Sequence, residues 1–329
     1  MSESIAAIER AAGLLAAGEL VAFPTETVYG LGADASNSAA VARVFAAKGR
    51  PADHPLIVHL PGHDALNAWA VEIPDLAWEL AEHFWPGPLT MILRRAPGVA
   101  DAVTGGQDTV GLRVPGHPLA LDLLRAFARI KDGAASGIAA PSANRFGRIS
   151  PTRAIHVQAE LGDHVACVLD GGACPVGIES TIIDLSRGRP VILRPGQLAV
   201  ETLSMVAGCD IGIEESAKAP RVSGTLESHY APVTPLILVE STRLAATLRD
   251  LRGQGKRAAV LAYGVSPGMS GMAKRWLPAA PNATTYAHDL YANLRELDAA
   301  GADLIVVETV PDETGWLAVR DRLARAASR

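Results

Sequence analysis

The 329-residue sequence has few aromatic residues, few cysteines and no long apolar run, and each shortage excludes a class of protein. Aromatic residues make up 5% of the chain, too few for a platform that stacks the bases of single-stranded nucleic acid. The three cysteines form no C-x-x-C pair and suit no disulfide framework, so we expect Cys167, Cys174 and Cys209 to be small buried side chains in a cytoplasmic protein. No run reaches the ~20 apolar residues of a membrane span, and residues 1–10 do not resemble a signal peptide.

Charge and motif content exclude further classes. The chain carries 30 Lys and Arg against 35 Asp and Glu, a formal net charge of −5, which does not favour binding to a nucleic-acid backbone. The sequence also lacks a G-x-x-x-x-G-K-[ST] phosphate loop, a G-x-G-x-x-G turn after a strand, H-E-x-x-H and G-x-S-x-G. The common nucleotide-binding motifs, zinc hydrolases and serine esterases are therefore disfavoured.

Short apolar runs alternate with amphipathic segments, which is typical of an α/β layer fold. Helices are predicted at residues 5–16, 38–48, 74–84 and 153–161. Strands are predicted at residues 20–23, 56–60, 89–93, 110–114, 167–169 and 180–185. Because helices do not separate all of these strands, we expect a mixed sheet rather than a purely parallel one.

The length is about twice the ~150 residues of a single domain, so two domains are expected. Residues 208–234 lack regular periodicity and contain several glycines and prolines, which predicts a long linker. Beyond it, predicted strands alternate with predicted helices at 235–239, 241–252, 258–263, 287–299, 303–308 and 315–327. The predicted organisation is a domain at 1–207, the linker at 208–234 and a smaller α/β domain at 235–329.

Four cationic side chains lie at or near the ends of predicted elements. Lys48 and Arg50 follow the second helix, where dipole complementation and an anion clamp are both open interpretations. Arg113 and Arg194 lie in apolar strands, and a buried arginine either pairs with an internal acid or faces a ligand. Convergence of all four would suit a polyphosphate, because guanidinium groups match phosphate oxygens.

Hydroxyl groups occur in similar positions. The segment that contains Ser142 ends at Ser150 and Thr152, either of which could be a plain N-cap of the following helix. Ser180 begins a strand after a turn, where turn chemistry is an alternative to ligand binding. His59 lies alone in an apolar strand, where a core histidine is the more usual interpretation. Taken singly, these residues do not decide a function.

The first predicted strand continues into a polar turn at FPTETVYGLG (23–32). Thr27 is followed there by Gly30 and Gly32, and two glycines would let the backbone approach a ligand closely.

Ordered motifs carry the strongest signal in the sequence. They are PTETVYGLG (24–32), KGRPADHPLIVH (48–59), WPGPLT (85–90), GLRVP (111–115), APSAN…GRISPT (140–152), GIESTIID (177–184), ILRPG (192–196) and SHYAP (228–232). In this order they resemble the threonylcarbamoyl-AMP synthases of the YrdC-like superfamily, over about residues 5–207 and again in the linker. The predicted C-terminal domain resembles the long form of these enzymes.

The resemblance implies a YrdC-like twisted mixed sheet with a basic groove, and a smaller Rossmann-like C-terminal α/β domain. It implies a nucleotidyltransferase that forms L-threonylcarbamoyl-adenylate and pyrophosphate from L-threonine, bicarbonate or CO2 and ATP, with Mg²⁺ carried by the ATP. The product would pass to a tRNA threonylcarbamoyl transferase complex that modifies the adenosine beside the anticodon. Direct binding of tRNA is left open, and no membrane is involved.

Motif by motif, the resemblance also implies two sets of binding residues and no resident metal. L-threonine would be bound by Thr27, His59, Arg113, the backbone at Ala140, and Ser180. ATP would be bound by Lys48, Arg50, His54, Thr109, Ser142, Ser150, Arg194 and Tyr230. Lys48 and Arg50 would also be catalytic, because they would meet the charge that develops on pyrophosphate. The linker at 208–234, which carries Tyr230, would act as a lid over the active site.

Two alternatives are weighed against this interpretation. An RNA-binding groove is disfavoured by the acidic balance and the few aromatic residues. A carbamoyltransferase subunit, in which YrdC-like domains also occur, would carry acylphosphatase and zinc-finger-like segments that this sequence lacks. The role of the predicted C-terminal domain is open between a clamp for the linker and a docking surface for a partner.

Overall fold

The computed structural model describes residues 2–131, 133, 135–214, 219–224, 229–264 and 269–328. Residues 215–218 and 225–228 of the predicted linker, including Ser228 of SHYAP, therefore lie outside the described residues. The chain divides into two compact units, and the domain boundaries drawn from the sequence at 207 and 235 remain predictions. The first unit comprises Met1–Phe146, Pro151–Pro175 and Glu179–Thr225, and the second comprises Gly147–Ser150, Val176–Ile178 and Leu226–Arg329.

The first unit contains both short and long elements. Its described helices are α1 (Ser2–Ala16), α2 (Ser38–Lys48), α3 (Leu66–Trp69), α4 (Asp75–Phe84), α5 (Asp101–Thr104), α6 (Pro118–Ile130), α7 (Ala154–Leu161) and α8 (Val200–Ala207). Its described strands are β1 (Val21–Phe23), β2 (Gly30–Asp34), β3 (Ile57–His59), β4 (Ala70–Val71), β5 (Leu89–Arg95), β6 (Thr109–Arg113), β7 (Ile138–Ala139), β8 (Cys167–Val168), β9 (Thr181–Asp184), β10 (Val191–Arg194) and β11 (Gly212–Ile213).

One sheet connects the described strands of the first unit, in the order β11-β10-β9-β5-β6-β3-β7-β2-β1-β8 with β4 beside β5. Strand β5 is antiparallel to β6 and parallel to β9. Strand β1 is antiparallel to β2 and parallel to β8. The expectation of a mixed sheet is confirmed.

The residues at the two ends of α2 cap this helix as the sequence predicts. Asn37 is the N-cap, and its side chain accepts hydrogen bonds from the backbone N–H groups of Ala39 and Ala40. Gly49 ends the helix in the left-handed conformation, at φ 63° and ψ 33°. These two residues set the length of the helix and so the position of Lys48 at its end.

Two local interpretations of the sequence can be compared with the structure. The N-cap of α7 is Arg153, so neither Ser150 nor Thr152 caps this helix. Gly30 and Gly32 lie inside β2, and a Cβ on Gly32 would lie 2.9 Å from side-chain atoms of Phe23 and Ile138. Close packing therefore accounts for Gly32, and the approach of a ligand to these glycines stays a prediction.

The core of the first unit lies on both faces of the sheet. One cluster packs α2 and α4 against the middle of the sheet, and another packs α1 and α6 against β1 and β7. Cys167 and Cys174 are buried, as expected, but Cys209 is exposed, which corrects the expectation for that residue.

The second unit contains a smaller α/β layer. Its described elements are β12 (Leu236–Val239), α9 (Ser241–Gly253), β13 (Ala258–Ala262), β14 (Arg275–Pro278), α10 (Ala283–Asp298), β15 (Leu304–Glu308) and α11 (Leu317–Ala327). The described strands form a parallel sheet in the order β12-β15-β13-β14, which fits the expected Rossmann-like layer. In neither unit do the described residues form a helix long and apolar enough to cross a membrane.

Candidate active site

Two neighbouring strands place Arg113 beside His59. Strands β3 and β6 pair in parallel, with His59 opposite Arg113. The buried Arg113 guanidinium lies 2.7 Å from Glu26 Oε1, and its Nη2 donates to Thr27 Oγ1 at 3.0 Å. Its Nε donates to the carbonyl oxygen of Gly87 at 3.2 Å. Arg113 thus has an internal acid as partner and also meets the hydroxyl of a residue predicted to bind L-threonine.

A hydrogen-bonded turn after β1 fixes Thr27. The Thr25 hydroxyl donates to the carbonyl oxygen of Val28 at 2.6 Å and accepts from the backbone N–H groups of Thr27 and Val28, each at 3.2 Å. The Thr25 and Thr27 hydroxyl oxygens lie 2.8 Å apart. Thr27 is fully buried, so its hydroxyl has a fixed place beside Arg113.

Burial keeps the His59 imidazole neutral. Removal from water, and after it the charge of Arg113, lowers the pKa of His59 to about 3. The ring packs edge-on against Phe23, with centroids 6.0 Å apart. Ala140 lies on the adjoining segment, and its N–H donates to the carbonyl oxygen of Ile57 at 2.9 Å. At neutral pH the imidazole therefore offers hydrogen bonding without charge.

Ser180 lies against Arg194. Its Oγ is 2.8 Å from Thr90 Oγ1 and accepts from Arg194 Nη2 at 3.1 Å. The Ser180 carbonyl oxygen accepts from Arg194 Nε at 3.1 Å and Nη2 at 2.9 Å. A Cβ on Gly196 would lie 2.3 Å from the backbone nitrogen of Thr181, so a glycine is required where the ILRPG segment passes this strand.

Lys48 ends α2 with its ammonium group inside the protein. Its Nζ donates to the carbonyl oxygens of Ser142 at 2.6 Å and Asn144 at 2.5 Å. Burial, and after it the charge of Arg50, lowers the pKa of Lys48 well below its ordinary value. Two buried hydrogen bonds therefore hold Lys48 in place, and complementation of the helix dipole alone does not explain its position.

Ser223 connects two of the predicted phosphate-binding cations. Arg50 Nη2 donates to Ser223 Oγ at 3.1 Å and to the carbonyl oxygen of Pro55 at 3.0 Å. Arg194 Nη1 donates to the carbonyl oxygen of Ser223 at 2.7 Å. The Ser223 hydroxyl itself donates to the Pro55 carbonyl oxygen at 2.9 Å. Arg50 and Arg194 thus share a partner in the described segment 219–224.

His54 lies near Arg50, and Thr109 lies near Ser223. The His54 ring packs edge-on against Phe146 with centroids 5.4 Å apart, and the Arg50 guanidinium lies 5.8 Å from the centre of that phenyl ring. Burial, and after it the charge of Arg50, lowers the pKa of His54. Thr109 begins β6 and, with Ser223, lines a cavity of about 10 Å³, roughly the space of one water molecule.

The remaining predicted site residues, Ser150 and Tyr230, belong to the second unit, and both are buried. The Tyr230 backbone has φ 61°, a conformation that residues other than glycine rarely adopt. Its ring lies 5.7 Å from the ring of Tyr291 and 5.3 Å from the guanidinium of Arg322. The structure therefore groups all the other predicted site residues in the first unit and these two in the second.

The first unit contains two groups of different chemistry. Around Arg113, a guanidinium fork, a hydroxyl and a neutral imidazole suit the carboxylate and hydroxyl of a small amino acid. Around Lys48, Arg50 and Arg194, three cationic side chains suit phosphate oxygens. Among the residues that the structure describes, no three His, Cys, Asp or Glu side chains lie close enough together to hold a metal ion.

Two family models together match nearly the whole chain. The model described as "Telomere recombination" matches residues 13–196, and the one described as "Threonylcarbamoyl-AMP synthase, C-terminal domain" matches residues 198–328. The threonylcarbamoyl-AMP synthase of Pyrococcus abyssi is 41% identical over 97% of this chain and 94% of its own length. That of Bacillus subtilis is 40% identical over 97% and 92%. The chain belongs to the threonylcarbamoyl-AMP synthase family.

As a member of the threonylcarbamoyl-AMP synthase family, the chain is a nucleotidyl-transferring enzyme that forms threonylcarbamoyl-AMP, which confirms the resemblance seen in the sequence. The crystal structure of P. abyssi Sua5 complexed with L-threonine matches with a TM-score of 0.89 and 40% identity, over 97% of this chain and 94% of that one. A putative threonylcarbamoyl-AMP synthase of Mycobacterium tuberculosis matches 62% of this chain at 40% identity and 90% of its own length. Some members of the family are thus much shorter than this chain.

The threonylcarbamoyl-AMP synthase motifs left two residues of the candidate site unassigned. Glu26 pairs with Arg113, and its carboxylate is buried beside it. Its place beside Thr27 in PTETVYGLG was a signal that could have found it. Ser223 lies 173 residues from Arg50, and no spacing in the sequence indicates that they meet.

Proposed function

We propose that the chain forms L-threonylcarbamoyl-adenylate and pyrophosphate from L-threonine, bicarbonate or CO2, and ATP. The observation that carries the proposal is the buried Arg113, which faces Thr27 Oγ1 at 3.0 Å and Glu26 Oε1 at 2.7 Å. A guanidinium fork beside a hydroxyl and a carboxylate matches the three polar groups of a zwitterionic hydroxy amino acid. The crystal structure of the P. abyssi relative with L-threonine supports the same substrate.

The proposed threonine site uses opposite charges to orient the substrate. Arg113 would bind the threonine carboxylate through two parallel hydrogen bonds, and the substrate ammonium group would face Glu26. The substrate hydroxyl would then lie among polar groups that are already fixed by the fold. The other contacts would come from Thr27, His59, the backbone at Ala140, and Ser180.

The proposed ATP site uses three cationic side chains of the first unit, those of Lys48, Arg50 and Arg194. Arg50 and Arg194 would exchange Ser223 for phosphate oxygens, and an approaching phosphate would favour the protonated form of Lys48. Mg²⁺ would arrive with the ATP phosphates, as part of the substrate. The other contacts to the nucleotide would come from His54, Thr109, Ser142, Ser150 and Tyr230.

The proposed chemistry depends on alignment more than on a strong acid or base. The threonine ammonium group first loses a proton to solvent. The resulting amine forms a bond to the carbon of CO2 and loses a second proton, or reacts with bicarbonate and loses water, to give a carbamate. A carbamate oxygen then attacks the α-phosphorus of ATP, and the bond to pyrophosphate breaks. Lys48 and Arg50 would stabilise the charge on the departing pyrophosphate. Because the carbamate is unstable in water, exclusion of solvent contributes to the rate.

The predicted linker at 208–234 would act as the lid of this site, and within it the segment 219–224 contacts Arg50 and Arg194. This segment covers the end of β6 and pairs with Arg50 and Arg194 through Ser223, so ATP would displace it on entry and be enclosed on its return. The unstable product would then pass to a tRNA threonylcarbamoyl transferase complex in the cytoplasm.

The experiment that tests the proposal is pyrophosphate release from ATP with threonine and bicarbonate omitted in turn. We expect release only when both are present, and a lower rate when serine replaces threonine, because the pocket around Thr27 and Arg113 would hold the extra methyl group. Identification of threonylcarbamoyl-AMP by mass spectrometry completes the measurement.

Two outcomes would contradict the proposal. Pyrophosphate release without threonine would make the chain an ATP hydrolase of another kind. No release, together with tight binding of RNA, would support the alternative of an RNA-binding groove.

A further inference from the structure

One carboxylate at the end of α10 contacts two separate segments of the second unit. Asp298 is the last residue of this helix, and its Oδ2 and Oδ1 accept from the backbone N–H groups of Val233 at 2.9 Å and Thr234 at 2.8 Å. The same carboxylate lies 3.4 Å from Arg148 Nη2. Its side chain is 13% exposed, so these contacts lie largely out of water.

The two segments also bind each other directly. Arg148 and Ala231 form an isolated parallel bridge, in which the Ala231 N–H donates to the carbonyl oxygen of Gly147 at 2.9 Å. Arg295, one turn before the end of α10, donates to the carbonyl oxygen of Ile149. The end of α10 therefore fixes residues 147–150 and residues 229–234 as one assembly.

This arrangement runs against the electrostatics of the helix. The C-terminus of a helix carries partial negative charge, so a carboxylate there is unfavourable unless hydrogen-bond donors compensate it. The two amides and the guanidinium around Asp298 supply that compensation. The contacts of Asp298 with residues 147–150 and 229–234 therefore explain an acidic residue at this position, and the stability of α10 does not.

The assembly also supports a strained residue. Tyr230 has φ 61°, a backbone conformation that is strained for a residue with a side chain. Tyr291 of α10 and Arg322 of α11 lie against its ring, and the N–H of His229 donates to the carbonyl oxygen of Arg325 at 3.2 Å. Contacts from two helices therefore maintain a backbone that would not persist alone.

We propose that Asp298 is a positioning residue for the nucleotide, which holds Ser150 and Tyr230 in a fixed mutual arrangement through residues 147–150 and 229–234. The inference rests on the proposed function, since that function assigns both residues to ATP. It gives the second unit a role in catalysis without any contact between Asp298 and substrate. It also predicts that damage at Asp298 affects ATP and leaves threonine binding unchanged.

The test compares the full-length Asp298→Ala and Asp298→Asn variants with Asp303→Ala. Asp303 belongs to the same unit and forms an exposed ion pair with Arg257, so its loss controls for a charge change that touches neither segment. Equilibrium binding of a non-hydrolysable ATP analogue and the KM values for ATP and L-threonine are measured for each protein. We expect Asp298→Ala to weaken analogue binding and raise the ATP KM at least about tenfold, with the threonine KM within about twofold of wild type.

Asn at position 298 can still accept from an amide but carries no charge, so we expect an intermediate effect that indicates rescue by hydrogen bonding. Analogue binding by Asp298→Ala equal to that of Asp303→Ala would overturn the inference. An equal rise in both KM values with a lowered melting temperature would also overturn it, because that pattern indicates general damage. Wild-type protein that binds the analogue but releases no pyrophosphate would refute the proposed function while leaving the positioning role measurable.

Discussion

At the scale of single residues, Arg113 has the most specific surroundings, because its guanidinium meets both a carboxylate and a hydroxyl inside the protein. We expect Arg113→Lys to raise the KM for L-threonine about 10- to 100-fold, since lysine cannot form two parallel hydrogen bonds and a charge-assisted bond contributes ~1.5–3 kcal/mol. The ATP KM should stay within about twofold. Steady-state pyrophosphate release measures both, with Arg94→Lys, at an exposed ion pair with Glu72, as the control. Equal rises in the two KM values would count against this role.

The lowered pKa of Lys48 predicts how ATP binding depends on pH. Burial and the charge of Arg50 lower the pKa of Lys48, so as pH rises the free enzyme loses this proton earlier than an exposed lysine would. A bound phosphate favours the protonated amine, so ATP binding takes up a proton and weakens with rising pH, by at most about tenfold per pH unit. The ATP KM measured against pH should therefore rise in the wild type.

In Lys48→Met this pH dependence should disappear and the ATP KM should be high at every pH, since the apolar stem remains and the amine is gone. Lys274→Arg is the matched control, because Lys274 is exposed and its Nζ donates to the carbonyl oxygen of Gly301, away from the candidate site. A wild-type ATP KM that is flat with pH, or a slope that Lys48→Met retains, would exclude Lys48 as the titrating group.

At the scale of elements, Arg221 holds segment 219–224 against the loop between α2 and β3 and against the loop after α5. Its guanidinium lies 3.0 Å from Asp53 Oδ2 and donates to the carbonyl oxygen of Gly105 at 2.9 Å. Its backbone N–H donates to Gln107 Oε1 at 2.7 Å, and Gln107 Nε2 donates back to the Arg221 carbonyl oxygen at 3.0 Å. The side-chain contacts are exposed to water, so they hold the segment with modest strength.

If this segment is the lid, Arg221→Ala should release bound threonylcarbamoyl-AMP faster, by about three- to tenfold for the loss of one exposed ion pair and one hydrogen bond. A pulse–chase experiment with labelled threonine measures the rate of product release. Arg257→Ala, which removes an exposed ion pair with Asp303, should leave that rate unchanged. A product release rate unaffected by Arg221→Ala would mean that the segment does not gate the site.

Elements with local signals could be predicted from the sequence, and elements or contacts without them could not. Helix α2 has an N-cap and a terminal glycine, so its bounds follow from the chain itself. Helix α6 (Pro118–Ile130) was not predicted, because the prolines at its start resemble a turn although its apolar spacing is helical. Strand β14 (Arg275–Pro278) is only partly buried at the edge of its sheet and lacks an apolar run. Helix α10 (Ala283–Asp298) begins four residues before the predicted 287, at its Asn282 cap.

The same distinction applies to the site. The arginines at strand ends could be located in the sequence because a charge stands out in an apolar run. The partners of these arginines could not be located in the sequence. Arg194 and Arg50 each contact Ser223, and the tertiary fold alone brings these residues together. In the sequence, nothing distinguishes Asp298 from other acidic residues. Its proposed role follows from the two segments that pack against it in the folded protein.

At the scale of the whole molecule, the balance of charge separates the proposed enzyme from an RNA-binding module. The formal net charge is −5, while the cations of the candidate site are buried and paired with groups of the protein. Buried cations can bind the phosphates of a small nucleotide that enters the site. They offer little to a polynucleotide, whose affinity comes from many exposed contacts and the release of counterions.

We therefore expect pyrophosphate release to proceed at the same rate with and without tRNA, and tRNA to bind no more tightly than the ~10⁻⁴–10⁻⁶ M typical of non-specific association. Filter binding at two salt concentrations measures the affinity and its salt dependence, and the pyrophosphate assay with added tRNA measures the coupling. Because the proposed product is a small adenylate, nothing in its formation requires the nucleic acid that is modified later. Sub-micromolar tRNA binding that stimulates pyrophosphate release would mean that the tRNA takes part in the first step, and the boundary between synthase and transferase would then have to be redrawn.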